Sequence, residues 1–402
     1  MSNRRIAVGA ALVATVLTGA LAASQLPANA DGAPQVGDVV GVGSDVMQNS
    51  LNFLADGSPA HPGYNSAGNK NRLFSFDASG DANGRKPFTD PGLGTSGVLA
   101  STAILRAGTR PVQRPNGGGV GLTALLSDGD ANRISFARSP NLPTAAQQVT
   151  AQKSIAAGGL NTKLHSVQIG TDVDYIATAT DTNAPAVLTA ADLTHIYNGD
   201  YTTWKQVPNY LDTHTATQGD EVIKPLIPQV GAGMRTIFLN GLKAANGGTT
   251  VSPGAGVTQV QQNDPTAITG AGLTDAERKN AIVPFPKGRY TLLNNGYFLN
   301  PDTVYSQALP AAPLTTTGIK LIDSGAGAFT IPFSYYVIFR QSDADSSVAW
   351  QPGGTLNWVQ TLFSNPGTGK PAPFVNTGPG QSLLTDAGIT PAYSDLGDAT
   401  NG

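Results

Sequence analysis

Asp38-Val39-Val40-Gly41-Val42-Gly43-Ser44-Asp45-Val46 reads as a buried strand that runs through glycine into the start of a helix. Valines at 39, 40 and 42 suit a strand covered on both faces, and Ser44-Asp45 can cap a helix beginning near Val46. The same grammar recurs twice. Arg114-Pro115-Asn116-Gly117-Gly118-Gly119-Val120-Gly121 lies between a short strand at 111–113 and a helix at 122–126. Pro228-Gln229-Val230-Gly231-Ala232-Gly233-Met234 joins a strand at 222–227 to a helix at 235–245. Strands that alternate with helices through short glycine turns imply an α/β fold, with mainly parallel sheets expected.

Working outward, residues 96–106 read as a helix and 133–137 as a strand that ends at Arg138-Ser139. The stretch 164–178 alternates well enough for one strand or a hairpin, and 188–197 carries apolar residues at helical spacing. Residues 281–285 and 334–340 are further apolar strands, and 356–363 reads as a late helix. Residues 56–72 and 77–97 read as long loops. The loop-rich segment 246–275 and the tail after Gly378 are expected to be peripheral.

The chain has 402 residues with 24 basic and 27 acidic side chains, a formal charge of −3. Such a balance offers no basic face for a nucleic acid, which is held by phosphate neutralisation. There is no cysteine, so disulfides, thiol nucleophiles, thiolate metal sites and lipid attachment through an N-terminal Cys are excluded. His61, His165, His195 and His214 are scattered, without a HExxH pair, and no metal or cofactor is expected.

Residues 1–30 have the form of an export signal. Arg4 and Arg5 open it, an apolar run follows from Ile6 to Ala23, and Ala28-Asn29-Ala30 offers a small-residue cleavage site. The alternative is a membrane anchor, but the run is rich in Ala and Gly. Cleavage near Ala30 leaves 22 basic and 27 acidic residues, a charge of −5. The expected product is secreted or periplasmic and is not a lipoprotein.

Each strand–glycine loop–helix turn places free backbone N–H groups at a helix N-terminus, and several such ends facing one crevice suit a small anion. Arg138 directly follows its strand and Arg235 follows the third loop; a guanidinium fork fits an oxyanion. The competing reading makes the glycines ordinary turn residues and the arginines solvated. Other motifs are weaker. Gly92-Leu93-Gly94-Thr95-Ser96-Gly97 matches a dinucleotide fingerprint in letters, but Thr-Asp-Pro precedes it instead of a strand. No serine has glycine at both −2 and +2, so the hydrolase elbow is missing. Ser79, Asp81, Asn83, Gly84 and Asp90 resemble a calcium loop with serine where an acid belongs, and read as a solvated turn. No enzymatic chemistry is expected.

The segment Leu188-Thr189-Ala190-Ala191-Asp192-Leu193-Thr194-His195-Ile196-Tyr197-Asn198-Gly199-Asp200-Tyr201-Thr202-Thr203-Trp204 resembles a stretch of the phosphate-binding proteins of ABC importers. The order of Val42-Gly43-Ser44-Asp45, Arg114–Gly117, Phe136-Ala137-Arg138-Ser139, Pro228–Arg235, Gln262-Asn263-Asp264 and Ala281–Phe285 follows the branch of that family common in high-GC Gram-positive bacteria. The resemblance covers most of 38–345. It implies a two-lobed periplasmic-binding-protein-like fold with two interlobe crossovers, with lobe I from 35–175 and 283–402 and lobe II from 176–282. It further implies ligand contacts at Ser44, Asp45, Asn116, Gly117, Gly118, Arg138, Ser139, Gly231, Ala232, Gly233, Met234 and Arg235. Asp45 is the candidate acceptor of a ligand proton.

The third loop has Ala232-Gly233-Met234 where relatives carry Ser-Gly-Thr, Val46 and Met47 stand where threonines are common, and Gly118 replaces a serine. A hydroxyl bond to a charged group is worth roughly 1.5–3 kcal/mol. Losing three is therefore comparable with the roughly 8 kcal/mol of a micromolar complex. Met47 and Met234 would make the cleft more apolar. Two readings follow: a monomeric solute-binding protein for phosphate or a related oxyanion, feeding an ABC permease, or a secreted surface protein that reuses the fold with a degenerate anion site.

Overall fold

The computed structural model describes residues 34–78, 102–129, 132–270, 272–295, 318–322 and 327–401. The export signal, the Gly92–Gly97 match, the calcium-like turn and the first part of the helix expected at 96–106 lie outside them.

A single strand, β6 (Leu164–Ala179), organises the molecule. Its 16 residues at about 3.3 Å each extend for roughly 50 Å. Gly170 pairs with Tyr335 on one side and Pro391 on the other, whereas Ile176 pairs with Ile322 and Pro284. One edge of β6 thus carries β11 (Ile331–Arg340) and then β10 (Ile319–Ile322). The other carries β12 (Thr390–Gly397) and then β9 (Ala281–Pro286). All four pairings are antiparallel. Beyond β11 lie β5 (Phe136–Ser139), β1 (Val39–Gly43) and β2 (Leu73–Ser75); beyond β9 lie β7 (Lys224–Pro228) and β8 (Thr258–Val260). A separate two-stranded ribbon joins β3 (Thr102–Ala103) to β4 (Val112–Gln113).

The ten-stranded sheet is mixed, which corrects the expectation of a mainly parallel one. Parallel pairing is confined to its wings, β2–β1–β5 and β9–β7–β8, because there the glycine turns feed crossover helices; the centre is a ladder along β6. At 102–103 the chain forms strand β3 where a helix was expected.

Four apolar clusters cover this sheet and divide it into two lobes. Two of them, around Phe136, Val337 and Phe363 and around Val42, Leu125 and Ile338, belong to the β1–β5–β11 wing. The other two, around Trp204, Tyr197 and Phe238 and around Leu226, Ile268 and Phe285, belong to the β7–β9 wing and include Ile319, Leu321 and Ile322 of β10. The architecture is a two-lobed mixed α/β fold. Helices that bear on the site are α1 (Gln48–Asp56), α2 (Gly118–Ser127), α3 (Ala190–Asn198), α4 (Gly233–Ala245), α5 (Lys287–Asn294) and α6 (Gly378–Asp386). Within α3, the Leu193, Ile196 and Tyr197 side chains are buried, and Tyr197 Oη donates to the Leu226 carbonyl at 2.8 Å.

The tail after Gly378 is not peripheral. Leu383 and Leu384 of α6 are fully buried in the first lobe's core, and β12 completes one edge of β6. His165 ties this strand in through Asp395 (2.5 Å), whose other oxygen accepts from Ser364 Oγ at 2.6 Å. Leu384→Ala is expected to cost roughly 2–5 kcal/mol in urea unfolding, the range for a large-to-small change in a packed core. A loss below about 1 kcal/mol would mean that α6 packs only loosely.

Candidate functional site

The three glycine turns meet at the seam between the lobes. Gly117, with φ of +105°, lies so close to the second lobe that a Cβ there would sit 2.5 Å from the Gly231 carbonyl oxygen. A Cβ on Gly233 would overlap the ring of Pro140. Gly117 meets backbone across the seam and Gly233 meets a proline ring, and a larger residue at either position would push these groups apart.

Some helices of the molecule carry a side-chain cap, and the three seam turns do not. Helices starting at Ala145, Ala190, Asp275 and Gly378 take side-chain caps from Thr144, Thr189, Thr274 and Thr377. The turn at Asp45, helix α2 and helix α4 have no bond from the side chain of their N-cap residue, Ser44, Gly117 or Ala232. Helix ends left this way keep N–H groups available to another partner.

At the first end the partner is Asp45 itself. Its carboxylate is only 6% exposed and accepts the backbone N–H groups of Asp45 and Val46. From the other lobe, Gln261 Nε2 donates to Oδ2 at 2.8 Å and Gln262 Nε2 donates to Oδ1. Burial raises the Asp45 pKa to about 7, opposed by the Asp45 and Val46 N–H groups, the Gln261 amide and the charge of Arg138. At the third end, the Met234 N–H donates to Gln262 Oε1 at 3.3 Å. Asn116 Nδ2 of the second loop donates to Gln261 Oε1 at 3.0 Å, and the Gln262 N–H donates to Gln229 Oε1 at 3.0 Å. The structure thus joins Asp45, Asn116, Gly117, Gly231 and Met234 around two neighbouring glutamines.

The other expected residues lie close by with different occupations. Arg138, fully buried, donates from Nε to the Ser44 carbonyl (3.1 Å), from Nη1 to Ser75 Oγ (2.5 Å) and from Nη2 to the Gly43 and Phe76 carbonyls (3.3 and 2.7 Å). Its fork fastens the ends of β1 and β2 together and adds a buried positive charge behind Asp45. Ser139 Oγ donates to the Asn141 carbonyl at 2.7 Å, and Gly118 packs against Ser139 and Pro140. Ala232 and Gly233 are buried, and Gly231 is exposed at the rim. Arg235 is half-buried and folds back on the Pro228 carbonyl at 2.9 Å. Met47 and Met234 are both buried and pack in one apolar cluster with Leu51 and Ile237, which joins α1 to α4.

Sequence reading missed Gln261, Asn263 and Arg289. The segment 246–275 was expected to be peripheral, yet residues 261–263 stand at the centre of the seam. Only the Gln262-Asn263-Asp264 part of the resemblance pointed there. Arg289 of α5 is buried, donates from Nε to the Asn263 carbonyl at 3.2 Å, and lies within the field of Asp264, Asp45 and Asp77; burial lowers its pKa to about 10. Among the described residues, Ser44 Oγ, Asn116 Oδ1, Gln229 Nε2 and both side-chain polar atoms of Asn263 are buried without a hydrogen-bond partner. Buried polar atoms are ordinarily paired, and these five belong to residues bonded or adjacent to the Asp45–glutamine contact, whereas others such as Ser166 Oγ and Tyr393 Oη lie on β6 and β12.

In fold, the chain is similar to solved phosphate-binding proteins. A Clostridium perfringens protein described as a phosphate ABC transporter substrate-binding protein, with phosphate bound, is 10% identical with a TM-score of 0.48, over 88% of this chain and 99% of that one. An ABC-type phosphate transport receptor from Vibrio cholerae is 13% identical with a TM-score of 0.46, over 88% and 99%. A phosphate-binding protein from Stenotrophomonas maltophilia is 12% identical with a TM-score of 0.46, over 88% and 90%. No protein-family model and no curated protein matches the sequence.

Two acids on β6 lie near this seam. Tyr335 Oη donates to Asp172 Oδ2 at 2.9 Å, and Asp172, Asp174 and Asp45 all act on that hydroxyl. Asp172 also accepts the Gly288 N–H at the start of α5, at 3.0 Å. Burial lifts Asp172 to about 6 and Asp174 well above the carboxylate range, the latter also through the charge of Asp172. A carboxyl group whose pKa is raised by folding holds its proton more tightly in the native state. Its contribution to stability is therefore complete below pH 4 and is lost as pH rises through the folded value. Thermal melts from pH 4 to 8 should show stability falling with pH toward 7, with Asp45→Asn flattening the upper part of that fall. An unchanged slope in Asp45→Asn would contradict the burial described here.

Proposed function

We propose that the protein is an extracytoplasmic solute-binding protein that closes two lobes on a small oxyanion, phosphate before others, for delivery to an ABC-type permease. The observation that carries this reading is the convergence, at one interlobe seam, of three helix N-termini without caps from their own N-cap residues and five buried polar atoms without partners. Helix N-termini favour negative charge. Two buried guanidinium groups, Arg138 and Arg289, lie in the field of Asp45, so an added anion would be compensated without a basic surface. The order of sequence motifs supports the same reading. Binding would need no covalent chemistry: hinge closure desolvates the anion and strengthens each bond to it.

No helix of the described residues is long and apolar enough to cross a membrane. Together with the export signal read from residues 1–30, this supports a protein that acts outside the cytoplasm. The second reading, a secreted protein with a degenerate anion site, is favoured by one observation: the third loop offers no hydroxyl, and Gln262 takes its Met234 N–H.

Calorimetric titration of the chain from residue 31 with phosphate, sulfate and methylphosphonate separates the two. A solute-binding protein gives saturable binding to at least one of them, weakened by about tenfold or more in Arg289→Met, as for the loss of one charge-assisted bond. Absence of binding by a folded protein would favour the second reading.

A further inference from the structure

Gln262 occupies a position that neither composition nor its neighbours in sequence explain. Its carboxamide oxygen accepts the Met234 N–H, at the second position of α4, while its nitrogen donates to the Asp45 carboxylate at the start of the first helical turn. One side chain therefore spans the two facing helix ends, from the second lobe to the first. Its backbone N–H is fixed by Gln229, and the side chain is 2% exposed. Gln261 runs alongside, between Asn116 and Asp45.

An oxyanion bound between these helix ends would need what Gln262 already takes. It would accept the Met234 N–H, as Gln262 Oε1 does. It would also meet Asp45, whose oxygens are held by the two glutamine amides. Either the anion displaces the carboxamide or it binds elsewhere. A carboxamide is planar and neutral, has one acceptor and two donors, and can satisfy a helix N–H and a carboxyl group together. It is a competent internal substitute for a protonated oxyanion.

We propose that Gln262 is the affinity-setting residue of the cleft: its carboxamide holds the oxyanion seat between Met234 N–H and Asp45, so anion affinity is set by the cost of displacing it. The proposal rests on the oxyanion reading above and assigns the ligand class to that seat. Any oxyanion that takes the seat must first break the same two bonds, Met234 N–H to Gln262 Oε1 and Gln262 Nε2 to Asp45, so the cost of displacement is set by the protein and not by the anion.

The test is titration of the wild type, Gln262→Ala and Gln262→Ser with inorganic phosphate and with sulfate, each variant checked for folding by circular dichroism. Ser serves where Ala fails to fold, since it keeps a small polar group in a buried polar position. Freeing the seat removes two competing bonds, so phosphate should bind about tenfold tighter in the variants, and sulfate should gain by a comparable factor. Phosphate binding in the variants but not in the wild type would support the proposal while weakening the import reading. Binding by the wild type with no gain in either folded variant would overturn this proposal and leave the oxyanion reading intact. No binding by any folded form would overturn both.

Discussion

A carboxylate that is nearly inaccessible to water must be hydrogen-bonded on almost every side, and Asp45 meets that demand with groups from both lobes. Its own helix end provides two N–H donors, and Gln261 and Gln262 provide two amides from a segment more than two hundred residues away. Separating the lobes would leave both oxygens short of donors. The glycine seam follows from the same requirement. The amides reach Asp45 only if the second and third loops approach closely, which excludes a Cβ at Gly117 against the Gly231 backbone and at Gly233 against the Pro140 ring. The long β6 strand then acts as the shared rail on which both lobes are mounted.

Much of this was legible in sequence. The run 38–43 is apolar enough to be a doubly covered strand, and it is one, with every residue of β1 buried. The helix expected at 188–197 matches α3, whose start is marked by a Thr189–Asp192 capping box. These features are local, set by periodicity and by residues three apart. Asp45 was also legible, because an acid after a strand–glycine turn sits at a helix end.

What escaped was non-local. Nothing in residues 246–275 alternates strongly, so Gln261, Gln262 and Asn263 look like loop; their role is set by partners on other elements. Arg289 sits in a short helix whose sequence says nothing about Asn263. The final segment reads as peripheral in sequence, yet β12 needs only an open edge of β6 to pair with. Arg138 shows the complementary error of emphasis. An arginine after a strand has the right reach for an anion, and here its guanidinium donates to four protein oxygens.

The central claim is that Asp45 and Gln262 hold the lobes together as a coupled pair. A double-mutant cycle on equilibrium unfolding, with Asp45→Ala, Gln262→Ala and the combination, measures that coupling directly. Contacting residues in one network show coupling of about 0.5–3 kcal/mol, and this account predicts a value in that range favouring the wild-type pair. Strict additivity of the two losses would contradict it.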